Sequence, residues 1–275
     1  MVEDQAPRAG MIPAADLVHI PGCEDGRPPL AVQPLPGGRG CNEVLRVDTL
    51  RGSFVWRRRL EPVERPGSRA ADELWAQQLA AAAGLAPVVV GAHPLGHWLV
   101  MEFIDAPVWT HEQLHSHTGA LRLGGQLGRL HALPVPPGLP AVDTVAMAGH
   151  YLARLAALDT GEATALAPLR ERIAALSARL SATGLPPVLN HGDLMVANML
   201  GAAPRLVDWE YAQIAEPGWD LACLLTYYPD MARFLPVLLA SSGLPPAAIA
   251  GLELQRERFE LLNRLWERLA ARGAG

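Results

Sequence analysis

Lysine is absent from this chain of 275 residues, and all 23 basic side chains are arginine. That excludes every chemistry that needs a primary-amine side chain: Schiff-base catalysis, a lysine general base, and a phosphate loop of the G-x-x-x-x-G-K-[ST] kind. A basic excess is missing too. The arginines face 28 acids for a formal charge of −5, and a pI near 6.0 lacks the footprint of a nucleic-acid partner. Cysteine is scarce: Cys23, Cys41 and Cys223 are odd in number and lack metal-like spacing, which argues against a disulfide framework. The longest apolar runs are broken by Gln77, Gly84 and Pro87, or by Pro229 and Pro236, so none reaches the roughly 18 residues of a membrane span. Residues 1–10 carry acids and no apolar stretch of the secretory kind. The expectation is a cytoplasmic protein with no nucleic-acid and no membrane partner.

What is present suits a substantial core. Half the residues are hydrophobic, enough for one large domain or two small ones. The 26 glycines and 25 prolines stay below the roughly 25–30% that marks low complexity. Residues 1–33 predict a loose arm or short helix. After LPGGRGCN, the segments VLRV and SFVWRRR predict a hairpin around DTLRG. RAADELWAQQLAAAA predicts a helix stopped by Gly84 and Pro87, and PVVVG and HWLVMEFI predict two further strands. Beyond MEFIDAP the pattern is mostly helical. Thr110 and Gln113 form a capping-box pattern before a helix running to about Leu133, where Gly124, Gly125 and Gly128 weaken the helix or mark close packing. Further helices are expected over about 143–158, 162–182, 217–228, 230–241 and 245–271. The short β-like pieces PVLN and RLVD flank a polar segment.

That segment concentrates the chemistry. His191-Gly192-Asp193-Leu194-Met195-Val196-Ala197-Asn198 is followed ten residues later by Asp208 in LVDWE. An acid, an amide five residues on and a second acid ending a short strand can converge on one Mg²⁺-nucleotide, because Mg²⁺ takes oxygen ligands and shares them with phosphates. The protein-kinase catalytic loop, H-R-D-L-x-x-x-N, has the same spacing.

With Gly after the histidine and DWE in place of DFG, HGDLMVANML and RLVDWEYAQIAEPGWDLACLL resemble the aminoglycoside phosphotransferase and choline kinase superfamily, closest to its choline/thiamine-kinase-like members. IPG at 20–22, LPGGRGCN, FVWRRR, GLAP at 84–87, VMEFI and LGRLHAL extend the resemblance over roughly residues 17–228. It implies an α+β, bilobal protein-kinase-like fold: a small β-rich lobe with one main helix over residues 1–104, and a larger helical lobe over 105–275 for catalysis and acceptor binding. It also implies an enzyme using ATP and Mg²⁺. Asp193 would accept the proton of an acceptor hydroxyl, Asn198 and Asp208 would ligate Mg²⁺, and His191 and Asp220 would brace the loop. Gly37, Gly38 and Gly40, with Asn42, would cover the phosphates. The backbone near Glu102 and Ile104 would hold adenine. The strand lysine usual in such folds falls on Arg57, with Glu73 as its helix partner. Arg59, two residues on, shares that strand face and is the other candidate.

Simpler readings stand beside these. Arg57, Arg58 and Arg59 could be a solvated strand edge, Glu73 an exposed helix acid, and the glycines an ordinary turn. Asp220 could merely cap a helix. His111, His115 and His117 could gather round a metal. Trp209, Glu210, Tyr211, Glu216 and Trp219 suit an amino alcohol or quaternary ammonium through cation–π and ion-pair contacts, or the two tryptophans are core. The expected acceptor is a small cationic alcohol of the choline, ethanolamine or thiamine type. The competing readings are an aminoglycoside or macrolide kinase and a non-catalytic nucleotide-binding relative.

Overall fold

The structure, a computed structural model, describes residues 12–36, 42–60, 70–135 and 139–272. The segment Gly37, Gly38 and Gly40 therefore lies outside the described residues.

A short helix α1 (Ala14–Leu17) precedes a five-stranded antiparallel sheet: β1 (Ala31–Pro34), β2 (Asn42–Thr49), β3 (Gly52–Arg59), β4 (Val89–Ala92) and β5 (Trp98–Glu102), in the order β1-β2-β3-β5-β4. The β2–β3 hairpin closes at Thr49 and Gly52, around the expected turn. Alternation sorts its faces. Leu45, Val47, Phe54, Trp56, Trp98 and Val100 pack with Ile12, Ile20 and Cys23 into a small core. Arg57 and Arg59 face the other way. Helix α2 (Ala70–Ala82) links β3 to β4 and ends near Gly84, whose φ of +71° suits glycine in a helix-ending turn. Ala76 and Ala80 on α2 belong to the large core, so this helix packs away from the sheet's own core.

The chain leaves the sheet through Phe103 to Asp105 and becomes helical: α3 (His111–Leu114), α4 (His117–His131), α5 (Thr144–Leu158), α6 (Thr160–Leu166), α7 (Pro168–Ser181), α8 (Trp219–Tyr227), α9 (Leu235–Ser242), α10 (Pro246–Ala250) and α11 (Leu252–Ala270). Small two-stranded sheets interrupt them, pairing β6 (Val188–Asn190) with β9 (Gln213–Ala215) and β7 (Met199–Leu200) with β8 (Arg205–Leu206).

Several expected boundaries shift. The Thr110–Gln113 capping box is present, but it starts only α3; a second cap, Ser116 Oγ accepting from Gly119 N–H, starts α4. The helix expected over 162–182 breaks before Pro168, which opens α7 where its missing N–H costs nothing. The one expected over 230–241 begins as a 3₁₀ stretch, Pro229–Phe234, before α9. The one expected over 245–271 divides at Gly251. PVLN and RLVD do not pair with each other. Each pairs with a strand that alternation in so few residues does not reveal. Among the described residues no helix is long and apolar enough to cross a membrane.

The α4 glycines divide by role. A Cβ on Gly124 would lie 2.0 Å from Ser241 Oγ, and one on Gly128 would lie 2.6 Å from Ser242 O, whereas one on Gly125 meets nothing within 4 Å. Two of the three let α9 approach closely. Gly128→Ala is therefore expected to destabilise by about 1–3 kcal/mol through overpacking. Gly125→Ala should instead stabilise by up to about 1 kcal/mol from helix propensity. Urea denaturation of both variants checks the pair; equal effects would refute the packing role of Gly128.

Candidate active site

The polar segment after β6 is an extended loop held by its own backbone. Met195 N–H donates to Asp193 O, Asn198 N–H to Met195 O, and Val207 N–H to Asn198 O. The last bond brings the strand that ends in Asp208 beside the loop, so Asp193, Asn198 and Asp208 gather although 15 residues of sequence separate the outer two. Asn198 Nδ2 donates to Asp193 Oδ2 at 2.8 Å and to Asp193 O at 3.0 Å. Its amide nitrogen is thereby committed, which leaves Oδ1 as the atom suited to a cation.

His191 is fully buried. Its Nδ1 accepts from Asp193 N–H at 3.3 Å and its Nε2 donates to Val207 O at 3.0 Å. Burial pushes its pKa down against the nearby Asp220 and Asp193 charges, so the ring is neutral and one tautomer is fixed. It does not face the reacting centre. It joins the loop to the Asp208 strand and stands edge-on to Trp209, 4.7 Å between centroids.

Asp220, with no exposure, anchors the loop from α8. Its Oδ1 accepts from Gly192 N–H at 2.9 Å, and its Oδ2 accepts from His191 N–H and from His131 Nε2, each at 3.1 Å. Burial alone would raise its pKa; the His131 hydrogen bond and charge and the Gly192 amide outweigh it and hold the carboxyl below the usual range. Gly192 is required as glycine: its φ is +79°, and a Cβ there would stand 2.4 Å from Tyr211 O.

Across from this loop, Arg57 and Glu73 meet as expected, and Arg59 joins them. One Glu73 carboxylate oxygen accepts from Arg57 Nη2 and the other from Arg59 Nη2. Arg57 Nη1 also donates to Asp208 Oδ1 at 2.8 Å. The solvated-edge reading fails for these side chains, since Arg57 is 8% and Glu73 3% exposed. Arg58, on the opposite face, pairs with Glu43 at 2.8 Å. Asp208 is the only described non-glycine residue with positive φ, 64°, a strained conformation of the kind concentrated at functional sites. Burial raises its pKa to about 7 despite Arg57, with Glu210, Glu73 and Asp193 adding repulsion.

Two further polar links span the sheet and the helical part. Asn42 Nδ2 donates to Glu210 Oε2 at 3.2 Å, and Arg205 Nη1 donates to Glu102 Oε1 at 2.7 Å. Ile104, in the connection, is buried, with its carbonyl taking Ala106 N–H. Of the proposed aromatic box, Trp209 and Trp219 are core. Glu216 is committed to the buried Arg258 at 3.1 and 2.5 Å, and Arg258 also lies over Trp219, 5.3 Å from Cζ to ring centroid. His111 and His115 stack on each other at 6.3 Å and stand edge-on to Tyr228. Among the described residues no three His, Cys, Asp or Glu side chains form a metal-binding group. The histidines therefore make no metal centre. Cys223 on α8 and Tyr228 just past its end, which also touch the loop, carry no motif signal in the sequence.

The fold has known counterparts. The chain belongs to the phosphotransferase enzyme family, whose model matches residues 31–254. It is similar in structure to a choline/ethanolamine kinase family protein from Mesorhizobium loti, at 23% identity and TM-score 0.72, covering 94% of this chain and 86% of that one. It is also similar to a choline kinase from Streptococcus pneumoniae, at 16% identity and TM-score 0.73, covering 92% and 89%. A spectinomycin phosphotransferase solved with ADP and spectinomycin matches at 15% identity and TM-score 0.59, covering 89% and 85%. No curated protein sequence matches the chain. The fold is α+β and protein-kinase-like, and the protein is a phosphotransferase.

Asp220→Asn places an amide N–H₂ where three N–H donors converge, so at least one buried donor loses its acceptor. The expected loss is about 3 kcal/mol. Because the folded pKa is depressed, the carboxylate's contribution is complete above the unfolded value near 4. It is lost as pH falls through the folded value. The gap between wild type and variant should hold from pH 6 to 8 and narrow in acid; denaturation curves showing no gap at pH 7 would refute the anchoring role.

Proposed function

We propose that this phosphotransferase moves the γ-phosphoryl group of ATP, with Mg²⁺, onto a hydroxyl of a small cationic molecule of the choline, ethanolamine or thiamine type. The observation that carries the reading is the convergence of Asp193, Asn198 and Asp208, with Asn198 Nδ2 holding Asp193 Oδ2. Asp193 accepts the hydroxyl proton as the acceptor oxygen bonds to the γ-phosphorus and ADP leaves. Little covalent chemistry is asked of the protein in such a transfer, which depends on positioning and charge neutralisation. His191 stays neutral and positions the loop.

The donor set fits the cation. Asn198 Oδ1 and the Asp208 carboxylate are hard oxygen ligands, and two protein ligands suffice because phosphates complete the shell. Bound there, Mg²⁺ supplies charge neutralisation on the phosphates. The nucleotide has matching groups. Arg57 Nε is buried without a hydrogen-bond partner among the described residues, as is Asn42 Oδ1. The 37–40 glycines would cover the phosphates, Arg57 would bind them with Glu73 holding it, and the backbone at Glu102 and Ile104 would take adenine. Residues 1–104 would then form the nucleotide lobe and 105–275 the catalytic and acceptor lobe. The amino-alcohol reading is motivated by the choline and ethanolamine kinases among the proteins of similar fold.

ADP release over a panel of choline, ethanolamine, thiamine, aminoglycosides and macrolides tests the acceptor. Turnover with antibiotics alone sinks the amino-alcohol reading, and no turnover with any acceptor sinks the enzyme reading. Asp193→Asn should lower kcat by about 10²–10⁴ with nucleotide affinity nearly intact; unchanged turnover would remove Asp193 from the mechanism.

The raised pKa of Asp208 makes the cation compete with a proton. Mn²⁺ binding in the presence of ADP should tighten by up to about tenfold per unit as pH rises towards 7, levelling above it. Asp208→Asn should flatten that dependence. Equal Mn²⁺ affinity at pH 6 and 8 in the wild type, read by electron paramagnetic resonance, would contradict the assignment.

A further inference from the structure

Asp220 is only one of three places where α8 grips the catalytic loop. At its middle, Cys223 Sγ accepts from Leu194 N–H and donates to Gly192 O, each at 3.5 Å. Burial raises the thiol's pKa well above its ordinary value, Asp193's charge adding to it, so the sulfur keeps the proton it needs to donate. Past the helix end, Tyr228 Oη accepts from Val196 N–H at 3.0 Å. Besides that of His191, which Asp220 also takes, the amides held are those of residues 192, 194 and 196. In an extended segment successive N–H groups point to opposite sides, so one helix can take every second amide with a ladder of side chains. The intervening amides of Asp193 and Met195 bond within the loop, to His191 Nδ1 and Asp193 O.

We infer that Tyr228 is a positioning residue for phosphoryl transfer: its hydroxyl, as the last rung of this ladder, sets the turn that carries Asn198 against Asp193. The inference rests on the proposed roles of those two residues. Val196 opens the 3₁₀ turn Val196–Asn198, so Tyr228 fixes the start of the turn, whose end is held by Asn198 N–H on Met195 O and by Val207 N–H on Asn198 O. The other two rungs hold residues up to Leu194, so Tyr228 is the rung that reaches the turn itself. The ring of Tyr228 is itself fixed. It is 8% exposed, with His111 and His115 edge-on at 5.5 and 6.0 Å and His115 Nδ1 donating to His111 O at 2.7 Å. Those histidines belong to the capped turn α3, which gives them a role in packing the tyrosine.

Tyr228→Phe keeps the ring and removes only the hydroxyl. Hydrogen exchange across residues 194–200 is expected to quicken by about tenfold, with α8 unchanged within about twofold. Mn²⁺ binding with ADP should weaken by about three- to tenfold, and kcat should fall by about tenfold with KM for ATP within about twofold. A tyrosine that merely packs would move none of these. Unchanged exchange in that segment overturns the ladder, and quicker exchange with unchanged Mn²⁺ affinity overturns the positioning role. If the wild-type protein transfers phosphate to no acceptor, the proposed function falls alone, because the exchange and metal measurements still decide this inference. Faster exchange across α8 itself in Tyr228→Phe would show general loosening of that helix and refute the specific role of the last rung.

Discussion

The structure depends on one buried guanidinium. Arg57 reaches Glu73 on α2 with one terminal nitrogen and Asp208 in the helical part with the other, so a single planar group ties a strand, a helix and the candidate metal loop together. A fork with fixed donors can serve two carboxylates in different directions at once; a compact ammonium on a flexible stem has no such fixed geometry. The lysine-free composition therefore changes the form of the link and keeps the charge. Arg59 completes it by taking the other Glu73 oxygen, so two arginines share one helix acid. Buried ion pairs of this kind add little net stability, because desolvation offsets attraction, and losing one partner leaves a costly orphan charge. What the pair supplies is register between the sheet and the helical part. Asn42–Glu210 and Arg205–Glu102 repeat the same crossing, the second at half-buried positions.

Opposite this hub, the loop is shaped by backbone hydrogen bonds and by the rungs of α8. The two arrangements complement each other. The hub is charged and spans two parts of the molecule; the loop is held by a helix within one part, through an acid, a thiol and a phenol. Gly192 shows how tight the second is, since Tyr211's carbonyl occupies the space of any side chain. A protein kinase loop with arginine at that position would have to route this backbone differently.

The sequence made the loop legible because its chemistry is local: Asp193, Asn198 and Asp208 lie within 16 residues, and their spacing alone implies convergence. Glu73 and Arg57 were legible through the family resemblance, and alternation placed Arg59 on the same face. That one glutamate serves both arginines is a matter of side-chain reach, which no period reports. Strands β7, β8 and β9 are two or three residues long, too short for alternation to show, and their pairing is fixed by tertiary contacts. The helix breaks were partly written in the prolines: Pro168 opens α7, and Pro236 sits in the first turn of α9, where the missing N–H is harmless. The sequence left the aromatic box and a core role open because composition near an acid does not separate a pocket wall from core; Trp209 and Trp219 are core, and Glu216 already has its cation in Arg258.

With Glu216 neutralised from within, a cationic acceptor would have to find its counter-charge nearer the reacting centre. There Arg57 pairs with Glu73 and Asp208 and Arg59 with Glu73, and repulsion from Glu210, Glu73 and Asp193 adds to the burial that raises Asp208's pKa. The same imbalance bears on both ligands of the proposed reaction. A divalent cation relieves it at Asp208, and an ammonium group on the acceptor would relieve what remains, at the Asp193 side. Triphosphate and Mg²⁺ together still bring net negative charge to the cleft, which the two arginines are placed to meet. The proposed cationic alcohol is thus an electrostatic reading of the charges around Asp208, and it does not depend on an aromatic cage.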